Sequence, residues 1–164
     1  MRIENDIKLD FKDVLIRPKR SVLKSRSEVS LEREFKFKHS DKVWHGIPII
    51  AANMDHTGTL NMARALAEHG LMTALDKFLP VPNLKKFAEE NKALLSSTFF
   101  SLGTSDADFD RLRELSAFVE IPYICLDVAN GYTERFVSFL ERLREAYSNA
   151  VIMAGNVVTG EMVE

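Results

Sequence analysis

Apolar residues change their spacing near residue 46. Before it they alternate with polar ones, first at Ile7, Leu9 and Phe11, then at Val29, Leu31, Phe35 and Phe37. A period of two predicts two exposed or edge strands. Between them, Arg17-Pro18-Lys19-Arg20-Ser21-Val22-Leu23-Lys24-Ser25-Arg26 holds five cations and a proline that interrupts regular structure, which predicts a solvated arm or an anion-contacting one. Residues 1–45 are therefore set apart as strands and basic arm, and 46–164 as the repeating portion.

From Gly46 onward one unit recurs. Ile47-Pro48-Ile49-Ile50-Ala51-Ala52 is a continuous apolar run, as in a strand covered on both faces, and the polar turn Asn53–Gly58 leads into a predicted helix over 60–68 ended by Gly70. A strand over 71–75 and a helix over 83–92 follow, the latter with Leu84, Phe87 and Ala88 on one face. Thr98–Leu102 is the third strand, and Ser105 with Asp108 three residues later forms a capping-box pattern ahead of the stripe Phe109, Leu112, Leu115 and Val119. Pro122–Leu126 is the fourth strand, and Phe136, Val137, Leu140, Leu143 and Tyr147 mark the next helix. Val151–Ala154 is the fifth strand, after which Thr159 is placed to cap a helix that opens as the sequence reaches Glu164.

Strands alternating with helices imply a parallel α/β sheet with right-handed crossovers. Either an open doubly wound sheet or the first part of a barrel satisfies this pattern. The strand-end turns carry no G-x-G-x-x-G fingerprint, which weighs against the dinucleotide form of the first. The helix opening at residue 160 favours the second, and 164 residues are fewer than the roughly 250 of a complete (β/α)8 barrel.

Composition removes several functional classes. The 22 Lys and Arg against 24 Asp and Glu leave a formal charge of −2, which argues against a nucleic-acid partner. No run reaches the ~18 apolar residues of a membrane span, and Met1–Asp6 lacks the apolar stretch of a secretory signal, so a cytoplasmic location is expected. Cys125 is the single cysteine. It lies in mid-strand with no adjacent base and reads as a buried structural thiol. His39, His45, His56 and His69 show no metal-ligand spacing, and no metal site is assigned.

In parallel α/β proteins ligands bind at the carboxyl ends of the strands. That rule selects Asn53, Met54, Asp55, Asp76, Lys77, Gly103, Thr104, Asp127, Asn130 and Asn156, with His56 beside them. Thr104, Asn130 and Asn156 are equally well read as turn or cap residues. Lys77, a cation just past a strand end, is suited to meeting a phosphate.

Several long blocks resemble one family in order along the chain. They are Ile3–Ser21, Leu23–Ser27, Pro48–Asp55, Ile124–Tyr132 and Met153–Glu164, and they are similar to the GMP reductases of the IMP dehydrogenase/GMP reductase family. The resemblance implies a (β/α)8 TIM barrel of which this chain holds about five strands and four helices, usually tetrameric. It implies NADPH as cofactor and reductive deamination of GMP to IMP and ammonia, in purine salvage. On that likeness Ser25 and Arg26 reach the cofactor of a neighbouring subunit, and Lys77, Asp127, Val128 and Ala129 contact NADPH.

The family's catalytic cysteine loop, general acid/base threonine and potassium-binding loop correspond to positions beyond Glu164. No catalytic residue is therefore assigned here, and the chain alone is expected to be inactive. IMP dehydrogenase is the alternative within the class, but many of those enzymes insert a regulatory domain after the second barrel helix, where this chain has only a few residues. Outside the class stand a non-catalytic partial barrel or split-gene subunit that pairs with another chain, and a small complete open-sheet protein. Two departures stand out: Asp76 precedes Lys77 where the family has His, with Phe78-Leu79 after it, and His56-Thr57 replaces a Thr-Val pair. A carboxylate beside the lysine is expected to weaken anion binding.

Overall fold

The computed structural model describes Ile7 and Leu9–Glu164; Lys8 and the Met1–Asp6 stretch, where a leader would begin, lie outside the described residues. The chain divides into two compact units, Met1–Ser30 and Leu31–Glu164.

In the first unit the alternation at Ile7, Leu9 and Phe11 does not make a strand. Phe11–Asp13 forms a single 3-10 turn, with the Asp10 carboxylate accepting from the Phe11 N–H at 2.7 Å and Asp13 accepting from the Asp10 N–H at 2.9 Å. Two short acidic side chains thus satisfy the local backbone, in competition with sheet pairing. The arm that follows is exposed and irregular as far as Ser25, which caps a second 3-10 turn at Arg26–Glu28.

The second unit opens with a hairpin, β1 (Arg33–Lys36) and β2 (Val43–Gly46), paired antiparallel with Phe35 opposite Trp44. Of the second predicted strand only its later half pairs; Val29 and Leu31 lie outside it. The apolar run at 47–52 shrinks to β3 (Ile50–Ala51), and Ile49 and Ile50 are exposed. Pro48 has no N–H to give a ladder, and β3 has a neighbour on one side only.

The repeating units then follow in order: α1 (Leu60–Ala67), β4 (Met72–Ala74), α2 (Val81–Glu90), β5 (Thr98–Leu102), α3 (Asp106–Ser116), β6 (Tyr123–Asp127), α4 (Glu134–Ala146), β7 (Val151–Gly155) and α5 (Gly160–Val163). Local chemistry sets their ends. Thr59 accepts the Met62 N–H to start α1, and Gly70 supplies the positive φ of 69° that turns the chain into β4. Pro82 lies in the first turn of α2, so that helix starts two residues earlier than its apolar face suggests. In α4 the buried face is Phe136, Phe139 and Leu143, with Val137 exposed and Tyr147 past the end as its cap.

β3, β4, β5, β6 and β7 pair parallel in that order, with no reversal. A doubly wound sheet needs a reversal to place helices on both faces. Here the helices share one face. Ala63, Leu84, Phe87, Phe109, Leu112, Phe136, Phe139 and Leu143 pack in one core with Leu75, Phe100, Leu102, Ile124 and Leu126. The alternate strand residues Met72, Ala74, Phe99, Tyr123, Cys125 and Val151 form a second core with no helix in it, joined by Trp44 and Phe37 from the hairpin. A sheet so covered is the wall of a (β/α) barrel, its inner face floored by aromatic rings, with Phe99 and Tyr123 centroids 5.1 Å apart and Phe37 edge-on to Tyr123 at 6.1 Å.

The capping box at α3 forms as its sequence predicts, with the Ser105 hydroxyl accepting the Asp108 N–H at 3.1 Å and Asp108 accepting the Ser105 N–H at 3.1 Å. Burial opposes the charge on Asp108, but hydrogen bonds from Ser105 and Gly103 and the nearby Arg111 outweigh it and hold its pKa below 3.8. A depressed carboxylate stabilises the fold above its unfolded pKa and loses that contribution as pH falls through its folded pKa. Ser105→Ala is expected to cost about 1 kcal/mol in urea unfolding at neutral pH. The gap between wild type and Asp108→Asn should close as pH is lowered below about 4.

Candidate functional site

The in-order parallel pairing brings the carboxyl ends of the strands to one rim. Lys77, two residues past Leu75, and Asp127, the last residue of β6, meet there although 50 positions separate them. The Lys77 ammonium donates to Asp127 Oδ2 at 3.1 Å, and the two side chains are 29% and 30% exposed. Lys77 also stands 5.6 Å from the centre of the exposed Phe78 ring. The rim thus presents a half-buried donor and acceptor side by side.

Asp76 does not pair with Lys77. Its carboxylate accepts from the Phe78 N–H at 3.0 Å and closes the turn, while its own N–H donates to the Gly58 carbonyl at 2.8 Å. This approach requires the glycine: a Cβ on Gly58 would lie 2.5 Å from the Ala74 carbonyl oxygen and 2.8 Å from the Asp76 nitrogen, both backbone atoms that cannot swing aside.

Val128 is half-buried and Ala129 exposed. The Val128 N–H donates to the Gly155 carbonyl at 2.8 Å, and its carbonyl accepts both the backbone N–H and the side-chain amide of Asn156, at 2.8 and 3.0 Å. Asn156 is therefore a latch between the β6–α4 and β7–α5 loops. Asn130 accepts the Tyr132 N–H at 3.0 Å as a turn residue, and the Thr104 carbonyl is held by Arg135 at 2.9 Å. Asn53 is half-buried, whereas Met54, Asp55 and His56 are exposed, with His56 Nε2 3.4 Å from Asp55. Ser25 and Arg26 belong to the N-terminal unit, where the Ser25 hydroxyl accepts the Ser27 N–H at 3.3 Å and lies 2.8 Å from the Ser27 hydroxyl.

Two residues on this rim gave no sequence signal. Arg111 reaches from α3 to the carbonyls of Lys77 and Leu79, at 2.5 and 2.7 Å. The Thr159 side chain makes no cap bond to α5, and Tyr132 fixes the loop ahead of that helix: its phenolic oxygen accepts the N–H groups of Val158 and Thr159 at 2.7 and 2.8 Å. Hydrogen bonding by Thr159 and Val158 holds the Tyr132 pKa below 10.0. Both contacts span about 26 to 34 positions, beyond the reach of periodicity.

Cys125 is buried on the inner face below Asp127. Desolvation pushes its pKa up to about 11, with Asp127 adding to the rise and Ser101 and Lys77 offsetting only part of it. At neutral pH it is a thiol, not a nucleophile. Among the described residues no group of three or more His, Cys, Asp or Glu is placed to hold a metal, and no helix is long and apolar enough to cross a membrane.

A parallel sheet with helices on one face and polar residues gathered at its carboxyl rim is part of a (β/α) barrel, with its candidate site where barrel enzymes carry theirs. The chain belongs to the IMP dehydrogenase / GMP reductase family, whose domain it matches over residues 8–164. It is 54% identical to a GMP reductase of Vibrio cholerae and 56% identical to one of Yersinia pestis, in each case along the whole of this chain and 48% of the relative. It thus spans about half the length of these curated relatives. The crystal structure of the inosine 5′-monophosphate dehydrogenase of Legionella pneumophila superposes with a TM-score of 0.72 at 27% identity, over 91% of this chain and 44% of that one.

Native Cys125 is expected to resist a thiol reagent such as 5,5′-dithiobis(2-nitrobenzoate) at about pH 8 and to react at once in denaturant. Because its folded pKa is raised from 9.0 to about 11, the stability it contributes is complete below the lower value and is lost as pH rises between the two. Urea midpoints of wild type and Cys125→Ala measured across that window test the sign.

Proposed function

We propose that this chain supplies the N-terminal half of an NADPH-dependent GMP reductase, converting GMP to IMP and ammonia. The observation that carries this reading is the 54–56% identity to GMP reductases along the entire chain, read together with the donor–acceptor pair at the strand ends. The residues on the rim suit one end of the cofactor better than the other. Lys77 is countered by Asp127, and Asp55 and Asp76 stand on the same rim, so a phosphate dianion meets little net attraction. A carboxamide or a ribose diol, which both donates and accepts, matches the pair.

On this reading Lys77, Asp127 and the backbone at Val128 and Ala129 orient the nicotinamide-ribose end. Ser25 and Arg26 serve the cofactor of a neighbouring subunit in a homotetramer, and the enzyme is cytoplasmic. NADPH, when bound, supplies the hydride for this chemistry. Asp127 holds the Lys77 ammonium beside the acceptor position, and the inert thiol of Cys125 keeps the barrel wall beneath it unreactive. The covalent nucleophile, the acid that protonates departing ammonia and the family's potassium ion are assigned to residues outside these 164.

Among the described residues β7 pairs with β6 alone, so the backbone groups on the outer edge of this five-residue strand are open to a further strand. This favours a second reading, a non-catalytic partial barrel or split-gene subunit that pairs with another chain. Sedimentation separates the two: a stable monomer that recruits nothing ends the second.

The chain is expected to quench or enhance NADPH fluorescence saturably, with Lys77→Met and Asp127→Asn each weakening the affinity about tenfold, as loss of a hydrogen bond to a charged group does. Unchanged affinity in both variants would overturn the assignment. With GMP added the isolated chain should oxidise no NADPH, and turnover would overturn the placement of the nucleophile.

A further inference from the structure

The loop that carries Lys77 joins β4 to α2 and is short of internal bonds. Asp76 closes its turn through the Phe78 N–H and through a bond from the Leu79 N–H to its carbonyl at 3.2 Å. The carbonyls of Lys77 and Leu79 point the other way, to Arg111 on α3, which is half-buried against them. Its two terminal guanidinium nitrogens donate one to each, at 2.5 and 2.7 Å. A planar fork bonding two carbonyls fixes both the position and the rotation of the peptide segment between them, which a single contact cannot do. That segment sets the direction in which the Lys77 side chain leaves the backbone. The ammonium at its end then reaches Asp127 across the intervening strand β5.

We propose that Arg111 is the positioning residue of the strand-end site: by clamping the carbonyls on either side of Phe78 it aims Lys77 at Asp127. The Arg111 guanidinium bonds the Lys77 carbonyl and neither the Lys77 ammonium nor the Asp127 carboxylate, so it acts through the backbone of Lys77. Lysine is not an adequate substitute, since one ammonium cannot span two carbonyls with the same fixed geometry. The consequence for cofactor affinity rests on the proposed function; the consequence for Lys77 itself does not.

Acetylation of the folded chain with acetic anhydride, read lysine by lysine by mass spectrometry, measures the pairing of Lys77 without any cofactor. Arg111→Met is expected to raise the labelling rate of Lys77 about tenfold, to the level of Asp127→Asn, with Arg111→Lys between it and wild type. Lys85, which bridges α2 and α3 by pairing with Glu114 at 2.7 Å, should keep its wild-type rate. An unchanged rate at Lys77 would overturn the proposal. So would an equal rise at Lys85, which would make Arg111 a brace of the helices and nothing more. If Arg111→Met does not fold, Arg111→Lys decides alone, and a wild-type Lys77 rate in it overturns the clamp. In NADPH titrations Arg111→Met should weaken binding as much as Lys77→Met, and the double variant no further. If Arg111→Met exposes Lys77 specifically while the wild type binds no NADPH, the clamp is supported and the proposed function is overturned.

Discussion

Parallel pairing of β3 to β7 in chain order is the constraint on which the rest of this protein depends. Each strand is bonded to its sequence neighbour, so every connecting helix returns on the same side, and the alternate side chains of each strand are left for an inner face. The registers Ser101 with Cys125 and Cys125 with Met153 keep the residues of that inner face level with one another. Two distinct cores follow, one between helices and sheet and one floored by the hairpin's Trp44. The same order lines up every carboxyl end on one rim, which is why a lysine after the second of these strands meets an aspartate closing the fourth.

The rim combines tightly held backbone with few reactive groups. Gly58, Asn156 and Tyr132 each bond one loop to a neighbouring loop, and Arg111 bonds the Lys77 loop to α3, so the strand-end turns are braced instead of standing free. On that rim the Lys77–Asp127 ion pair stands half-open to solvent. Cys125 lies too deep to be a thiolate at neutral pH, and its register partner Ser101 does not compensate for the desolvation. Such a division is what the proposed function needs of this half of the site, a donor and an acceptor side by side with no reactive thiol beneath them.

How much of this was legible in the sequence depended on the range of the interaction involved. The capping box of Ser105 and Asp108 spans three residues and forms as written, and β5 has the bounds its apolar run predicts. The apolar stripe on α4 has helical spacing, but Phe139 and not Val137 completes its buried face, because a stripe fixes a face only approximately until the opposing surface is known. Ile7, Leu9 and Phe11 carry the strand pattern without a strand, since a period of two promises nothing when local carboxylates satisfy the backbone first.

The sequence by itself determined the alternation of strands and helices, the family, and the residues that stand at strand ends, since each is written in local spacing or in blocks of residue identity. Tertiary structure alone decided that the sheet has no reversal, that Asp127 neutralises Lys77 while Asp76 turns away to cap Phe78, and that Arg111 grips the lysine's loop from another helix. Those contacts join positions 32 to 50 residues apart, apart from the short turn at Asp76. The choice among partners at such range is set by sheet order and packing, which no local pattern encodes.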